Sequence, residues 1–278
     1  MDDRRHHVLG FYSRHPISHG QILARLRADR GSLEGLGPED LFPHDQDHYG
    51  GLVVNDALAD LARIGPGTLV ADFCAGLGGP ARYLAHRYGA VVTGIELNPD
   101  RVAGAEDLTR RVGLQDRVRV LLGDVTRTPL DDKSVDVVVS QEAFLHLPDK
   151  GAALAEAFRV LRPDGRLAFT DWVAHRPLTP EEAGEMWRGI AAQAVQSPDG
   201  YHGLLRQAGF RVVSVEDLTE TWGTILAQRL AMFRSLREEA RRAGTPAGDE
   251  AFYTAYERLV ALVQGRILGG GRFAAERP

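Results

Sequence analysis

Apolar residues fall in two rhythms along this chain, and their alternation predicts an α/β fold. Short unbroken apolar runs read as buried parallel strands: Leu69-Val70-Ala71, residues 90–95, residues 118–122 and the β-branched Val135, Val137, Val138 and Val139. Between them apolar positions recur at helical spacing, as with Leu84 after Pro80, and Val102, Ala105 and Leu108 after Asn98-Pro99-Asp100. Further on, the pattern predicts a helix over 149–161, a fifth strand over 165–170 and a helical insertion over 177–196. The segment SPDGYHGLLRQAGF reads as a helix and turn entering a sixth strand at 210–215. Two longer helices, 224–243 and 249–268, lead to a closing strand at 271–276, expected at the sheet edge. Arg162-Pro163-Asp164-Gly165 reads as a turn.

Ahead of the first strand, residues 1–51 form a distinct segment. Ile22, Leu23 and Leu26 give residues 21–27 a helical period, with Ser18 as a cap. A stretch dense in turn formers, LGPEDLFPHDQDHYGG, follows, and then a helix over 52–64 with Leu58 and Leu61 inward. The expected division is 1–51 as a lid or substrate segment and 52–278 as the main domain, with a helical insertion at about 222–268.

Composition narrows this picture only modestly. At 278 residues, with 26% charged and 44% hydrophobic, the chain can bury one sizeable core. A net charge of −5 gives no electrostatic reason to expect nucleic acid. The single cysteine, Cys74, rules out an internal disulfide and has no metal spacing around it. MDDRRHHVLGFYS has no apolar signal core, and no stretch reaches membrane-span length, so a cytoplasmic protein without a membrane partner is expected. Homo-oligomerisation is left open.

The chemistry concentrates after the first strand. That strand ends at Asp72 and breaks into Cys74-Ala75-Gly76-Leu77-Gly78-Gly79, and the second strand ends at Glu96. Glycines at the first turn of a βαβ unit with an acid about 20 residues on mark a site for an adenosine-type ligand. Asp72 would repel a pyrophosphate and suits a ligand carrying an ammonium group, as S-adenosylmethionine does. Glu96 is placed to accept the ribose hydroxyls. Ser140-Gln141-Glu142-Ala143-Phe144-Leu145-His146 leaves a central strand at its carboxyl end, where open α/β sheets hold ligands.

The run His44-Asp45-Gln46-Asp47-His48 invites a metal reading, but a metal site needs a fixed geometry and a further ligand from elsewhere. A polar lid or substrate loop is preferred, and no metal is expected. Tyr12 and Tyr49 are either rings at a pocket mouth or simple packing.

With these motifs in hand, the chain from about Asp56 onward resembles the class I S-adenosylmethionine-dependent methyltransferases. The match rests on Asp72-x3-Gly76-x-Gly78, Glu96, Gly123-Asp124, Ser140-Gln141-Glu142 and Leu161-Arg162-Pro163-Asp164-Gly165. Within the class, SQEAFLHL resembles a segment of the glycine/sarcosine/dimethylglycine and phosphoethanolamine N-methyltransferases, with Glu142 and Leu147 as departures. The resemblance implies a Rossmann-like seven-stranded, mostly parallel sheet with an antiparallel final strand, an N-terminal helical lid and helical insertions. It implies S-adenosyl-L-methionine as cofactor, held by Asp72, Gly76, Gly78, Glu96, Leu97, Asp124, Val125 and Gln141. It implies a small-molecule acceptor methylated at an amine nitrogen, with oxygen, carbon or sulfur as alternatives. His146, Glu142 and Tyr49 are the catalytic candidates, against structural roles as a helix cap or packing groups. An NAD-dependent dehydrogenase and a non-catalytic binding protein are the remoter readings.

Overall fold

The structure, a computed structural model, describes residues 3–13, 15, 17–242 and 250–278. Its N-terminal segment holds three helices, α1 (Asp3–Ser13), α2 (His19–Arg30) and α3 (Pro38–Leu41). The next stretch alternates helix and strand: α4 (Leu52–Ala62), β1 (Leu69–Phe73), α5 (Gly79–Tyr88), β2 (Val91–Glu96), α6 (Pro99–Arg111) and β3 (Val118–Leu122). After β4 (Val135–Gln141) come a short 3-10 turn (Phe144–His146), α7 (Lys150–Val160), β5 (Leu161–Ala174), α8 (Pro180–Ile190) and α9 (Pro198–Gln207). The chain closes with β6 (Arg211–Asp217), α10 (Thr219–Arg242), α11 (Glu250–Gln264) and β7 (Leu268–Glu276). The expected helix ends at Ala243 and Asp249 lie outside the described residues.

The seven strands form one sheet in the order β3-β2-β1-β4-β5-β7-β6. The first five are parallel, and β7 runs antiparallel to both its neighbours. Apolar side chains cover both faces, one cluster around Phe73, Val138 and Phe169 and another around Val70, Val92 and Leu84. No helix among the described residues is long and apolar enough to cross a membrane.

Two expectations are corrected. The closing strand is not at the edge: β7 inserts between β5 and β6, and β6 is the outer strand. Their exposures agree, since β7 is buried on nearly every residue whereas β6 has its odd positions exposed from Arg211 to Asp217. Glycine makes the insertion fit, because a Cβ at Gly270 would overlap the Trp222 ring. Second, Arg162-Pro163-Asp164-Gly165 does not end a helix as a free turn but sits inside β5 as a bulge between the β4 pairings of Leu161 and Arg166. Asp164 takes a left-handed φ of 62° there. α1 forms over Asp3–Ser13, a stretch without a regular helical stripe of apolar positions.

The topology places the site. From β1 the chain goes one way through α5 to β2, and β4 returns on the other side of β1. A crevice therefore opens at the carboxyl ends of β1 and β4.

Candidate active site

The loop after β1 turns on left-handed residues: Cys74 (φ 62°), Gly76 (φ 57°) and Gly78 (φ 74°). Glu96 at the tip of β2 holds this loop, its Oε2 accepting the Gly76 N–H at 2.9 Å and its Oε1 the Asn98 N–H at 2.8 Å. A Cβ on Gly78 would stand 3.0 Å from Arg82 Nη1 and 3.5 Å from Ala105 Cβ. That glycine therefore serves the turn and helix packing and lies off the cavity wall.

A cavity of about 540 Å³ opens where the topology requires it. Asp72, Gly76, Glu96, Leu97, Asp124, Val125 and Gln141 all line it. Two of their polar atoms are buried without a partner, Asp72 Oδ2 and Gln141 Oε1. Burial, with Glu96 nearby, pushes the Asp72 carboxyl up to about 7. A buried acceptor without a donor is costly, and a ligand ammonium would satisfy it. The amino-acid end of S-adenosylmethionine carries such a group, so the wall fits that cofactor.

Opposite stands the turn after β4. Glu142 takes a left-handed φ of 52°, and its Oε1 accepts the Tyr49 N–H at 2.7 Å. Burial raises the Glu142 carboxyl to about 8, against the lowering pull of that N–H and of Arg229. His146 Nδ1 lies 3.1 Å from the Ala191 carbonyl oxygen, and its Nε2 lies 2.8 Å from the Tyr12 hydroxyl. Burial lowers His146 to about 4, so the ring is neutral near pH 7. The hydrogen-bond pattern then assigns the proton to Nδ1, donated to Ala191, and leaves Nε2 to accept from Tyr12. Asp171, fully buried, fixes this turn by accepting the Leu145 N–H at 3.2 Å and the Tyr201 hydroxyl.

Tyr12 reaches the site because α1 lines the cavity through Arg5, Val8, Leu9 and Tyr12. Its ring is stacked under the Arg101 guanidinium at 4.6 Å, and Arg101 Nη2 pairs with Asp47 at 2.7 Å. Tyr49 differs from expectation. Its ring packs against Trp172 and Trp222 rather than lining the cavity, and only its backbone touches the site.

The residues of the His44 to His48 run are dispersed to separate partners. His44 pairs with Asp29 and Asp45 with Arg82, while Asp47 pairs with Arg101. Gln46 Oε1 accepts from Asn55, whose Oδ1 accepts in turn from Gln141. Among the described residues no group of three or more His, Cys, Asp or Glu side chains converges as a metal site would. Sequence reasoning missed Arg101, Asn55 and Asp171, because each gains its role from a partner distant in the chain. The pairing of Tyr12 with His146 escaped it for the same reason.

A model of a family described as a methyltransferase domain matches residues 71–169. The chain is 35% identical over 163 residues to the glycine/sarcosine/dimethylglycine N-methyltransferase of Actinopolyspora halophila, a match covering 59% of this chain and 29% of that protein. It is 33% identical over 196 residues to the 27-O-demethylrifamycin SV methyltransferase of Amycolatopsis mediterranei, covering 67% of this chain and 70% of that one. The crystallised phosphoethanolamine N-methyltransferase 2 of Haemonchus contortus, in complex with S-adenosyl-L-methionine, superposes with a TM-score of 0.75 at 19% identity. That superposition covers 97% of this chain and 59% of the other, and at such identity it speaks for the fold.

Proposed function

The chain belongs to the S-adenosylmethionine-dependent methyltransferases, and from that premise we propose that it methylates an amine nitrogen of a small-molecule acceptor. The bound cofactor supplies an electrophilic sulfonium methyl. The protein is left with alignment, exclusion of water and removal of the acceptor's proton.

In this reading Asp72 and Gln141 hold the amino-acid end of the cofactor and Glu96 holds the ribose. Asp124 and Val125 meet the adenine edge beside Leu97, and Gly76 and Gly78 keep the loop close. The observation that carries the acceptor side is the Tyr12–His146 hydrogen bond at the cavity wall. The Tyr12 hydroxyl oxygen takes the acceptor's proton as its own proton passes to His146 Nε2. His146 is neutral near pH 7, and its contact with Ala191 leaves Nε2 without a proton and able to accept one. Glu142 orients the acceptor nitrogen and holds the loop around Tyr49 in place. Residues 1–51 act as the lid, with α1 delivering Tyr12.

Calorimetry and product assays on His146→Gln and Tyr12→Phe test this. Affinity for S-adenosylhomocysteine should stay within a few-fold while turnover drops by about 10²–10⁴. Turnover retained in both variants would remove the dyad from the mechanism. An oxygen acceptor is the second reading, favoured by the rifamycin relative, which is matched over the larger share of its length. Mass spectrometry and NMR of the product distinguish nitrogen from oxygen.

A further inference from the structure

A chain of side-chain amides runs from the N-terminal segment to the cavity wall, and one carboxylate sets its direction. Arg82 can only donate, and its Nη2 and Nε both give hydrogen bonds to Asp45 Oδ2 in the interior. The other oxygen, Asp45 Oδ1, can only accept, so the group facing it at 2.6 Å is Gln46 Nε2. Gln46 Oε1 is then left to accept from Asn55 Nδ2 at 2.8 Å. Asn55 Oδ1 in turn accepts from Gln141 Nε2 at 2.7 Å. Reversing any one amide would set two donors or two acceptors against each other. The chain ends at Gln141 Oε1, buried on the cavity wall without a partner.

We propose that Asn55 is a positioning residue for the cofactor: by engaging Gln141 Nε2, it commits that amide to present its oxygen to the cofactor's ammonium. This rests on the reading that Asp72 and Gln141 hold the amino-acid end, and it explains how Gln141 is turned. An unrestrained glutamine offers either end of its amide, and the NH₂ end would oppose an ammonium donor to donor. Asp72 of β1 pairs with Val139, which precedes Gln141 on β4, and Asp72 Oδ2 is likewise buried without a partner. The ammonium thus meets two acceptors, and the amide's donor end is occupied elsewhere. Neither Asn55 nor Gln46 lines the cavity, so both act through Gln141. The polar run from His44 to His48 gains a part in cofactor recognition through Asp45 and Gln46.

Calorimetry on the full chain compares S-adenosylhomocysteine with its analogue lacking only the α-amino group. The unsubstituted protein should prefer S-adenosylhomocysteine by about tenfold or more, because charge-assisted hydrogen bonds are at stake. In Asn55→Ala that preference should shrink by about two- to tenfold, the cost of ordering an amide that the protein no longer holds. Gln46→Ala, at a half-buried position, should shrink it in the same direction and carries the test if Asn55→Ala does not fold. Adding Asn55→Ala to Gln141→Ala should leave the preference of Gln141→Ala unchanged, since Asn55 acts only through that residue. Damage to the fold alone would weaken both ligands alike and keep their ratio. A preference retained in Asn55→Ala, or in Gln46→Ala where that variant alone folds, overturns the proposal. Equal binding of the two ligands by the unsubstituted protein would break the assignment of Asp72 and Gln141 to the amino-acid end, and the proposal with it. That failure is distinct, because it appears before any substitution is made.

Discussion

Arg82 on α5 and Asp45 in the loop before α4 form an ion pair at 2.9 Å, and neither side chain has exposed surface. The guanidinium also donates to the Ala105 carbonyl oxygen and to Thr109 Oγ1, so one buried cation joins the N-terminal segment to α5 and α6. Removing one partner strands a charge in the interior. Asp45→Ala should therefore lower stability by about 3–5 kcal/mol, and pairing it with Arg82→Met should restore most of the loss. Denaturant titration of the single and double variants measures both. The same pair shapes the test of the lid: a truncation before Leu52 would strip Arg82 of its partner, whereas one before Ser18 leaves Asp45 in place. The shorter deletion should preserve affinity for S-adenosylhomocysteine within a few-fold and abolish turnover.

Glu96 accepts two backbone N–H groups while facing the cavity. Replacing it by Ala removes the proposed ribose acceptor and also releases the Gly76 loop. Calorimetry should show a loss of about 2–3 kcal/mol in S-adenosylhomocysteine binding, because charged acceptors of buried donors are worth about that. Unchanged affinity would exclude Glu96 from the ligand site.

Stability should depend on pH with a definite sign. Burial raises Asp72 to about 7 and Glu142 to about 8, so the folded ligand-free protein holds protons that the unfolded chain releases from about pH 4 upward. That contribution falls as pH rises. His48 and His146, lowered to about 4, act oppositely and add stability as pH climbs from about 4 to about 6.5. Between about pH 6.5 and 8 only the carboxyl contribution persists, and stability should decline. Asp72→Asn should flatten that decline and raise the melting temperature at pH 8 while weakening S-adenosylhomocysteine binding. Thermal scans across pH, with and without ligand, read both effects.

Gly79 has ordinary backbone angles, yet a Cβ there would overlap the Asp45 carbonyl oxygen. Gly113 has the opposite condition, a φ of 69° with open space around it. Gly113→Ala should cost about 1 kcal/mol from left-handed strain alone. Gly79→Ala should cost about 1–3 kcal/mol, because the loop carrying Asp45 must move, and Arg82 with it. Comparable small losses at both positions would show that the loop yields freely.

How much was legible in the sequence follows from the range of each interaction. Asp72, Gly76 and Glu96 were readable because they belong to one βαβ unit, whose strand, turn and helix are consecutive and locally constrained. The burial of β1, β2 and β4 was equally plain, since a strand covered on both faces must be apolar throughout. The Tyr12–His146 contact spans 134 positions and leaves no periodic trace, and the sequence could list both residues without pairing them. Nor could it show that Tyr49 turns its ring into an aromatic cluster, or that the polar His44 to His48 run supplies buried partners for arginines.

The sequence by itself determined the parallel sheet, the glycine loop and the acids at the ends of β1 and β2 that line one cavity, all through local propensity and spacing. Tertiary structure alone decided that β7 lies between β5 and β6, that α1 lines the cavity, and which carboxylates there keep a cation. Strand order and charge pairing are set by which surfaces meet when distant segments pack, and no local pattern encodes that meeting.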